Sequence, residues 1–128
     1  MNLLLDTVAF YRAATMPETL PEGARRSLED GANVLHVSQA SAWELGIKAS
    51  LGKLTLPCPI EAFFTQSVRD LLANTVAIDL DAIARASRLP LHHRDPFDRM
   101  IIGQALTAGF TVVTSDRRFE DYEIAVIW

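Results

Sequence analysis

Cysteine and long apolar runs are both nearly missing from this 128-residue chain. Cys58 is the only cysteine, which excludes an internal disulfide and a cysteine-based zinc site. No apolar stretch approaches the length of a membrane span, and the amino terminus lacks a basic segment followed by a long apolar one. We therefore expect a soluble, cytoplasmic protein with no membrane partner.

Basic charge is also in deficit. The chain has 12 Lys and Arg against 16 Asp and Glu, a formal net charge of −4, which argues against a broad electrostatic grip on nucleic acid. This deficit does not exclude a nuclease whose metal ions offset an acidic pocket. With 49% hydrophobic and 22% charged residues and no repeat or linker, we expect one globular domain over residues 1–128.

Segments of strand character alternate with helical segments along the whole chain. The expected strands are 2–7, 34–38, 75–80, 110–116 and 124–128. The expected helices are 7–14, one opened by Pro17 or Pro21 and ending near 31, 39–51, 60–73, 81–89 with Asp81 as its cap, and 97–108. This alternation predicts an α/β fold of three layers, in which helices cover both faces of a parallel sheet of about five strands.

Four carboxylates lie where such a fold would gather them. Asp6 and Asp116 lie at the carboxyl ends of two strand segments, and ligands of an open parallel sheet bind at that edge. Glu44 and Asp98 fall on the inward apolar stripes of their helices, where a carboxylate is costly unless it is paired or coordinated. Clustered carboxylates repel one another without a cation, and oxygen ligands suit Mg²⁺ or Mn²⁺. The sequence therefore predicts a divalent-metal site.

Each carboxylate also has an ordinary structural interpretation. Asp6 and Asp116 could simply cap the helices that follow them. Glu44 could pair with Lys48 one helical turn later, although its inward direction opposes this pairing. We therefore expect Lys48 at the rim of the pocket, either contacting a phosphate or solvated.

Other polar residues near these positions are interpreted as supporting groups. Asp95 precedes Pro96, so we expect it to cap the next helix rather than bind metal. Thr7, Thr114 and Ser115 flank the carboxylates and could orient them, or could merely satisfy loop backbone groups.

The histidines and large aromatic residues give weaker signals. His92 and His93 have no partner at metal-ligand spacing, so we expect surface or supporting roles for them. Trp43, Phe97 and Trp128 are expected to be packing residues rather than platforms for stacking bases.

The order of these motifs resembles the PIN-domain family, and within it the VapC-like toxin ribonucleases of toxin–antitoxin pairs. The segments that carry the resemblance are Leu3-Leu4-Leu5-Asp6-Thr7, residues 41–48 with 51–54, residues 93–105, and Val113-Thr114-Ser115-Asp116-Arg117. The resemblance spans nearly the whole chain and implies a PIN-like fold. It also implies that Asp6, Glu44, Asp98 and Asp116 hold one or two ions of Mg²⁺ or Mn²⁺.

The implied activity is that of a metal-dependent endoribonuclease. Metal-activated water would cut an RNA phosphodiester and leave a 5′-phosphate and a 3′-hydroxyl. The implied partners are a second copy in a two-fold homodimer and a cognate antitoxin, whose amphipathic segment would insert a basic side chain among the acidic ligands. Operator DNA would be bound only indirectly, through the antitoxin.

Surplus apolar residues on the early helices favour such an interface. Phe10, Tyr11, Leu20 and Leu28, with the helix from Ile60, exceed what a small sheet is expected to cover.

Two other functions stay open at this point. A phosphatase that works through a phospho-aspartate usually needs a second Asp two residues after the nucleophile, and Val8 occupies that position after Asp6. A non-catalytic binding module on the same fold would not need all four carboxylates.

Overall fold

The structure is a computed structural model that describes all residues 1–128 as six α-helices and five β-strands. The strands are β1 (Asn2–Leu5), β2 (Val34–Ser38), β3 (Asn74–Val76), β4 (Thr111–Val113) and β5 (Val126–Ile127). The helices are α1 (Thr7–Thr15), α2 (Glu22–Glu29), α3 (Gln39–Ser50), α4 (Ile60–Asp70), α5 (Leu80–Ser87) and α6 (Pro96–Ala108). Short 3-10 turns cover Pro17–Thr19 and Arg117–Tyr122.

All five strands are parallel and lie in the order β3-β2-β1-β4-β5. The chain first moves outward from β1 to β3, and then returns to place β4 against the other side of β1. The strand order therefore reverses between β1 and β4, where Leu3 pairs with Thr111 and Leu5 with Val113. In open parallel sheets this point forms a crevice at the carboxyl ends of the strands.

Alternation along β1 divides the core between the two faces of the sheet. Leu3 and Leu5 face a cluster that includes Phe10 of α1 and Phe63 of α4. Leu4 faces the opposite cluster, which α6 and the second 3-10 turn complete. Because apolar helices cover both faces, the predicted three-layer α/β fold is confirmed.

The prediction that the early helices carry surplus apolar surface is wrong. Phe10 and Leu20 are 0% and 5% exposed, and Tyr11 and Leu28 pack against the same core. The short helices α1 and α2 lie close enough to the sheet to bury these side chains. The apolar surface that remains exposed lies elsewhere, and it includes Trp43, which is 63% exposed instead of packed in the core.

The predicted boundary between β3 and α5 is also wrong. The strand ends at Val76 because β2, its only partner, passes into α3 after Ser38. The side chain that caps α5 is Asp79, not Asp81, because Asp79 accepts the backbone N–H of Ala82 at 2.8 Å.

None of the six helices is both long enough and apolar enough to cross a membrane.

Candidate metal centre

Asp6 stands directly after β1, at the crevice between β1 and β4. Its Oδ1 accepts the backbone N–H of Ala9 at 2.7 Å, so Asp6 caps α1. Its Oδ2 accepts the hydroxyl of Thr114 at 2.5 Å, across from the end of β4. The capping and pocket interpretations are thus compatible, because each uses a different oxygen.

Burial is the main cause that raises the pKa of Asp6. The hydrogen bonds from Thr114 and Ala9 oppose this rise, while the negative charges of Glu44 and Asp116 add to it. Asp6 therefore shares an electrostatic environment with two of the other predicted site residues.

Asp116 follows β4 and caps the second 3-10 turn by accepting the N–H of Arg118 at 3.0 Å. The Arg118 guanidinium reaches both carboxylate oxygens, with Nε 3.0 Å from Oδ1 and Nη2 2.8 Å from Oδ2. This hydrogen bonding is the main reason that the pKa of Asp116 is lowered to about 2, against the opposing effect of burial. The Thr114 hydroxyl also accepts the N–H of Asp116 at 3.0 Å, so one side chain joins Asp6 to Asp116.

Asp98 lies in the first turn of α6. Asp95 caps this helix by accepting the N–H groups of Phe97 at 2.9 Å and Asp98 at 3.1 Å, which confirms the predicted cap. Burial raises the pKa of Asp98 to about 7, and the negative charges of Asp95, Asp6, Glu44 and Asp116 contribute in that order. The charged form of Asp98 is therefore disfavoured by the negative charges of all the other carboxylates of the cluster.

Glu44 points inward from α3 and is 7% exposed, as its position on the helical stripe predicts. It nevertheless forms the ion pair that its inward direction was expected to oppose, because Lys48 Nζ lies 2.7 Å from Oε2. Lys48 reaches in from the rim, where 41% of its side chain is exposed. The other oxygen of Glu44, Oε1, is buried and has no hydrogen-bond partner. A buried carboxylate oxygen without a donor is costly unless a cation binds it.

His93 is the residue that sequence reasoning underestimated. Its side chain is 1% exposed, and Nε2 lies 2.8 Å from Asp116 Oδ2 and 3.1 Å from Asp98 Oδ2. One potential ligand atom from each of these three residues falls within 4.8 Å of the others. No sequence pattern could have found this contact, because the loop from Pro90 to Asp95 has no periodicity to report direction.

The remaining predicted supporting residues differ in their contacts. Thr114 touches two site residues, whereas the buried Thr7 hydroxyl donates to Ser41 at 3.0 Å and ties α1 to α3 instead. Ser115 is exposed and makes no hydrogen bond to any of the four carboxylates. Of the two threonines, only Thr114 is placed to orient a carboxylate directly.

The residues at the carboxyl ends of the strands fit a divalent cation. They supply carboxylate oxygens of the hard type that Mg²⁺ and Mn²⁺ prefer, and one of those oxygens, Glu44 Oε1, is buried without a donor. The only cysteine, Cys58, is exposed, so the donor set contains no thiolate. The fold and the site together define an α/β protein with an acidic pocket at the switch point of a parallel sheet.

Comparison with known proteins gives the family. A family model described as the PIN domain matches residues 3–125. The chain therefore belongs to the PIN domain family. It is also 31% identical over 122 residues to Ribonuclease VapC22 of Mycobacterium tuberculosis, an alignment that covers 94% of this chain and 92% of that protein.

Two solved structures show the same fold. VapBC2 from Rickettsia felis, solved bound to a DNA fragment from its promoter, has a TM-score of 0.73 at 16% identity, covering 98% of this chain and 97% of that chain. VapC20 of Mycobacterium tuberculosis, described as a sarcin-ricin loop cleaving toxin, has a TM-score of 0.63 at 14% identity, with 96% of each chain covered. At these identities the two structures establish the architecture alone.

Proposed function

We propose that this chain is a divalent-metal-dependent endoribonuclease and the toxin of a toxin–antitoxin pair. The observation that carries the proposal is the acidic pocket, in which Glu44 Oε1 is buried without a donor and three further carboxylates lie at the same crevice. The similarity to a protein named Ribonuclease VapC22 over 94% of the chain supports RNA as the substrate.

Asp6, Glu44, Asp98 and Asp116 would hold the cation, Mg²⁺ or Mn²⁺. When bound, it would supply an activated water and offset negative charge on the phosphate oxygens. The chain carries a net charge of −4, so a cation in the pocket would also reduce repulsion of the RNA backbone.

Three further side chains have defined tasks in this proposal. Thr114 orients Asp6 by donating a hydrogen bond to Oδ2 at 2.5 Å. Lys48 lies at the rim beside Glu44 with 41% of its side chain exposed, where its ammonium group would contact an RNA phosphate. Asp95 acts through the start of α6, which carries Asp98.

The proposed protein partners follow from the solved relatives. VapBC-5 from Mycobacterium tuberculosis is described as a member of a family of toxin–antitoxin systems, and we propose that this chain likewise pairs with a cognate antitoxin. Operator DNA would be reached only through that antitoxin, and the toxin itself would be a homodimer in the cytoplasm.

Light scattering of the isolated chain tests the homodimer, and a monomer at micromolar concentration would contradict it. RNA cleavage by this chain in complex with the co-expressed antitoxin should be inhibited; undiminished cleavage would contradict the antitoxin role.

One observation favours a second candidate, a non-catalytic binding module. Both oxygens of Asp116 already accept hydrogen bonds from Arg118, and Oδ2 accepts one from His93 as well. A cation can use this carboxylate only if the exposed Arg118 side chain moves aside. In a binding module, Arg118 would stay in place and substitution of the carboxylates would leave partner affinity unchanged.

The deciding experiment is cleavage of RNA by the purified chain with Mg²⁺, with Mn²⁺ and with EDTA. We expect cleavage only with a divalent ion, and products with a 5′-phosphate and a 3′-hydroxyl. For the variant Asp6→Asn the matched control is Asp79→Asn, because Asp79 makes the same capping contact as Asp6 but lies at the start of α5. Full cleavage in EDTA, by protein free of contaminating nuclease, would overturn the metal mechanism. Absence of cleavage in every condition would favour the binding module.

A further inference from the structure

His93 is a fully buried histidine that contacts two carboxylates of the candidate site. It lies in the loop between α5 and α6, is 1% exposed, and packs edge-on against Phe119 with ring centroids 5.8 Å apart. Its Nε2 faces Asp116 Oδ2 at 2.8 Å and Asp98 Oδ2 at 3.1 Å. A buried imidazole with one nitrogen on two carboxylates can serve either as a metal ligand or as a hydrogen-bond donor.

The other ring nitrogen decides between these roles. Nδ1 of His93 lies 3.1 Å from the backbone nitrogen of Asp95 and accepts its N–H. A backbone N–H can only donate, so Nδ1 must present its lone pair and the ring proton must sit on Nε2. Nε2 is then a donor to Asp116, lies 3.1 Å from Asp98 Oδ2, and has no lone pair to offer a cation.

We propose that His93 is a positioning residue that orients Asp116, beside Asp98, through its Nε2–H, and that it is not a metal ligand. This inference rests on the proposed function, because it assigns His93 a task at the same site. In a histidine that binds metal, the second ring nitrogen usually donates its N–H to a carboxylate or carbonyl. Here that nitrogen accepts instead. Ligation through Nε2 would move the proton to Nδ1, opposite the N–H of Asp95.

The backbone around His93 is fixed by residues from two other elements. Tyr122 accepts the backbone N–H of His93 at 2.8 Å and donates to the Pro90 carbonyl at 2.6 Å. Arg99 of α6 donates to the His93 carbonyl at 3.0 Å. The same guanidinium also donates to the carbonyls of Pro90, Ala86 and Leu89, each at 2.9 Å.

These hydrogen bonds from Tyr122 and Arg99 have two consequences for the site. The ring of His93 is held in a fixed position beside Asp98 and Asp116. Its Nε2–H group can therefore reduce the mutual repulsion of the two carboxylates. The two Nη groups of Arg99 are occupied by four carbonyls of the same chain, so they are not free to contact RNA.

The first test is the tautomer of His93, read from ¹⁵N chemical shifts of the imidazole nitrogens in the full chain. We expect Nε2 to be protonated and Nδ1 unprotonated, both in EDTA and with saturating Mg²⁺. A proton on Nδ1, or its transfer there when Mg²⁺ is added, would show that His93 is a ligand and would overturn the proposal.

The second test is the affinity for Mn²⁺, which needs no RNA. His93→Leu should weaken Mn²⁺ binding by about 10- to 100-fold, the usual effect of losing a group that orients a metal ligand. His93→Gln should restore most of this loss, because its amide N–H can replace the Nε2–H donor. His92→Gln is the control, since His92 is exposed and contacts no carboxylate, and its affinity should be unchanged.

The outcomes separate this inference from the proposed function. If the unsubstituted chain binds no Mn²⁺, both proposals fail together. If it binds Mn²⁺ and His93→Gln binds as weakly as His93→Leu, or if neither differs from the unsubstituted chain, only the role of His93 is refuted. Should His93→Leu fail to fold, as judged by circular dichroism, the tautomer and His93→Gln still decide.

Discussion

The two halves of the acidic pocket differ in how the protein holds their carboxylates. On the side of β1 and α3, Asp6 and Glu44 are 6% and 7% exposed and use hydroxyl, backbone and lysine partners. On the side of β4 and α6, the side chains of Asp98 and Asp116 are each 23% exposed. Their partners are a buried histidine and, for Asp116, an exposed arginine.

The carboxylates also differ in the direction of their pKa shifts. Burial raises the pKa of Asp6, whereas hydrogen bonds from Arg118 lower the pKa of Asp116 to about 2. Asp98, which lies in the same half as Asp116, has a pKa raised to about 7 by burial and by its acidic neighbours. A cation entering the pocket would therefore displace a proton from Asp98 near neutral pH and the Arg118 side chain from Asp116.

Removing single charges should affect both halves strongly if they hold one metal site. We expect Asp6→Asn, Glu44→Gln, Asp98→Asn and Asp116→Asn each to reduce RNA cleavage by about 100-fold or more, because each removes a charged oxygen aimed at the cation. The metal-free Asp6→Asn and Asp98→Asn variants should unfold at the same or a higher temperature, since burial and like charges raise the pKa of both carboxyls. Asp116→Asn should unfold at a lower temperature, since Arg118 stabilises its charge. Cleavage rates and thermal unfolding in EDTA measure the two effects.

Asp95→Asn sharpens this prediction within α6. Asn can replace Asp as a helix cap, so this variant should lose far less activity than Asp98→Asn. Equal losses in a side-by-side cleavage assay would mean that Asp95 acts at the metal rather than at the start of the helix.

The raised pKa of Asp98 predicts an unusual dependence of stability on pH. Between the ordinary value of 3.8 and about 7, the folded state keeps a proton on Asp98 that the unfolded state has lost. The free energy of unfolding in EDTA should therefore fall as pH rises from about 4 to about 7, by on the order of a few kcal/mol. Urea denaturation at several pH values measures this, and the slope should flatten in Asp98→Asn. An unchanged slope in that variant would contradict the assignment.

The link between the two halves is Thr114. Thr114→Val removes the donor to Asp6 and the acceptor for the N–H of Asp116, so the free energy of unfolding should fall by about 1–2 kcal/mol. Mn²⁺ affinity should fall as well, and Thr114→Ser should restore both. Thr107→Val is the control, because its exposed hydroxyl bonds only within α6. Equal effects in the two valine variants would argue against a specific link.

The smallest expected effect concerns Arg118. Its side chain is 58% exposed, so its ion pair with Asp116 is screened by solvent and weak. Arg118→Gln should raise Mn²⁺ affinity by about two- to fivefold, because a competitor of the cation is removed. Arg117→Gln, an exposed neighbour without this contact, should leave affinity unchanged. Weaker Mn²⁺ binding in Arg118→Gln would show that Arg118 supports the site instead.

Local patterns determined much of the fold and of the pocket. The apolar run of β1 with Asp6 behind it, and the inward stripes that carry Glu44 and Asp98, could be read from the chain because strand ends and helical periodicity are local properties. The five-stranded parallel sheet followed from the alternation of strands and helices.

Only the tertiary structure decided how those carboxylates are held. The contacts of His93 with Asp98 and Asp116 join residues up to 23 positions apart, and the loop that carries His93 is fixed by Tyr122, 29 positions away. The burial of Phe10 and Leu20 and the exposure of Trp43 depended in the same way on how closely each helix approaches the sheet. Periodicity reports the direction of a side chain relative to its own helix or strand. It carries no information about which loop reaches over that side chain, because that is set by contacts between distant parts of the chain.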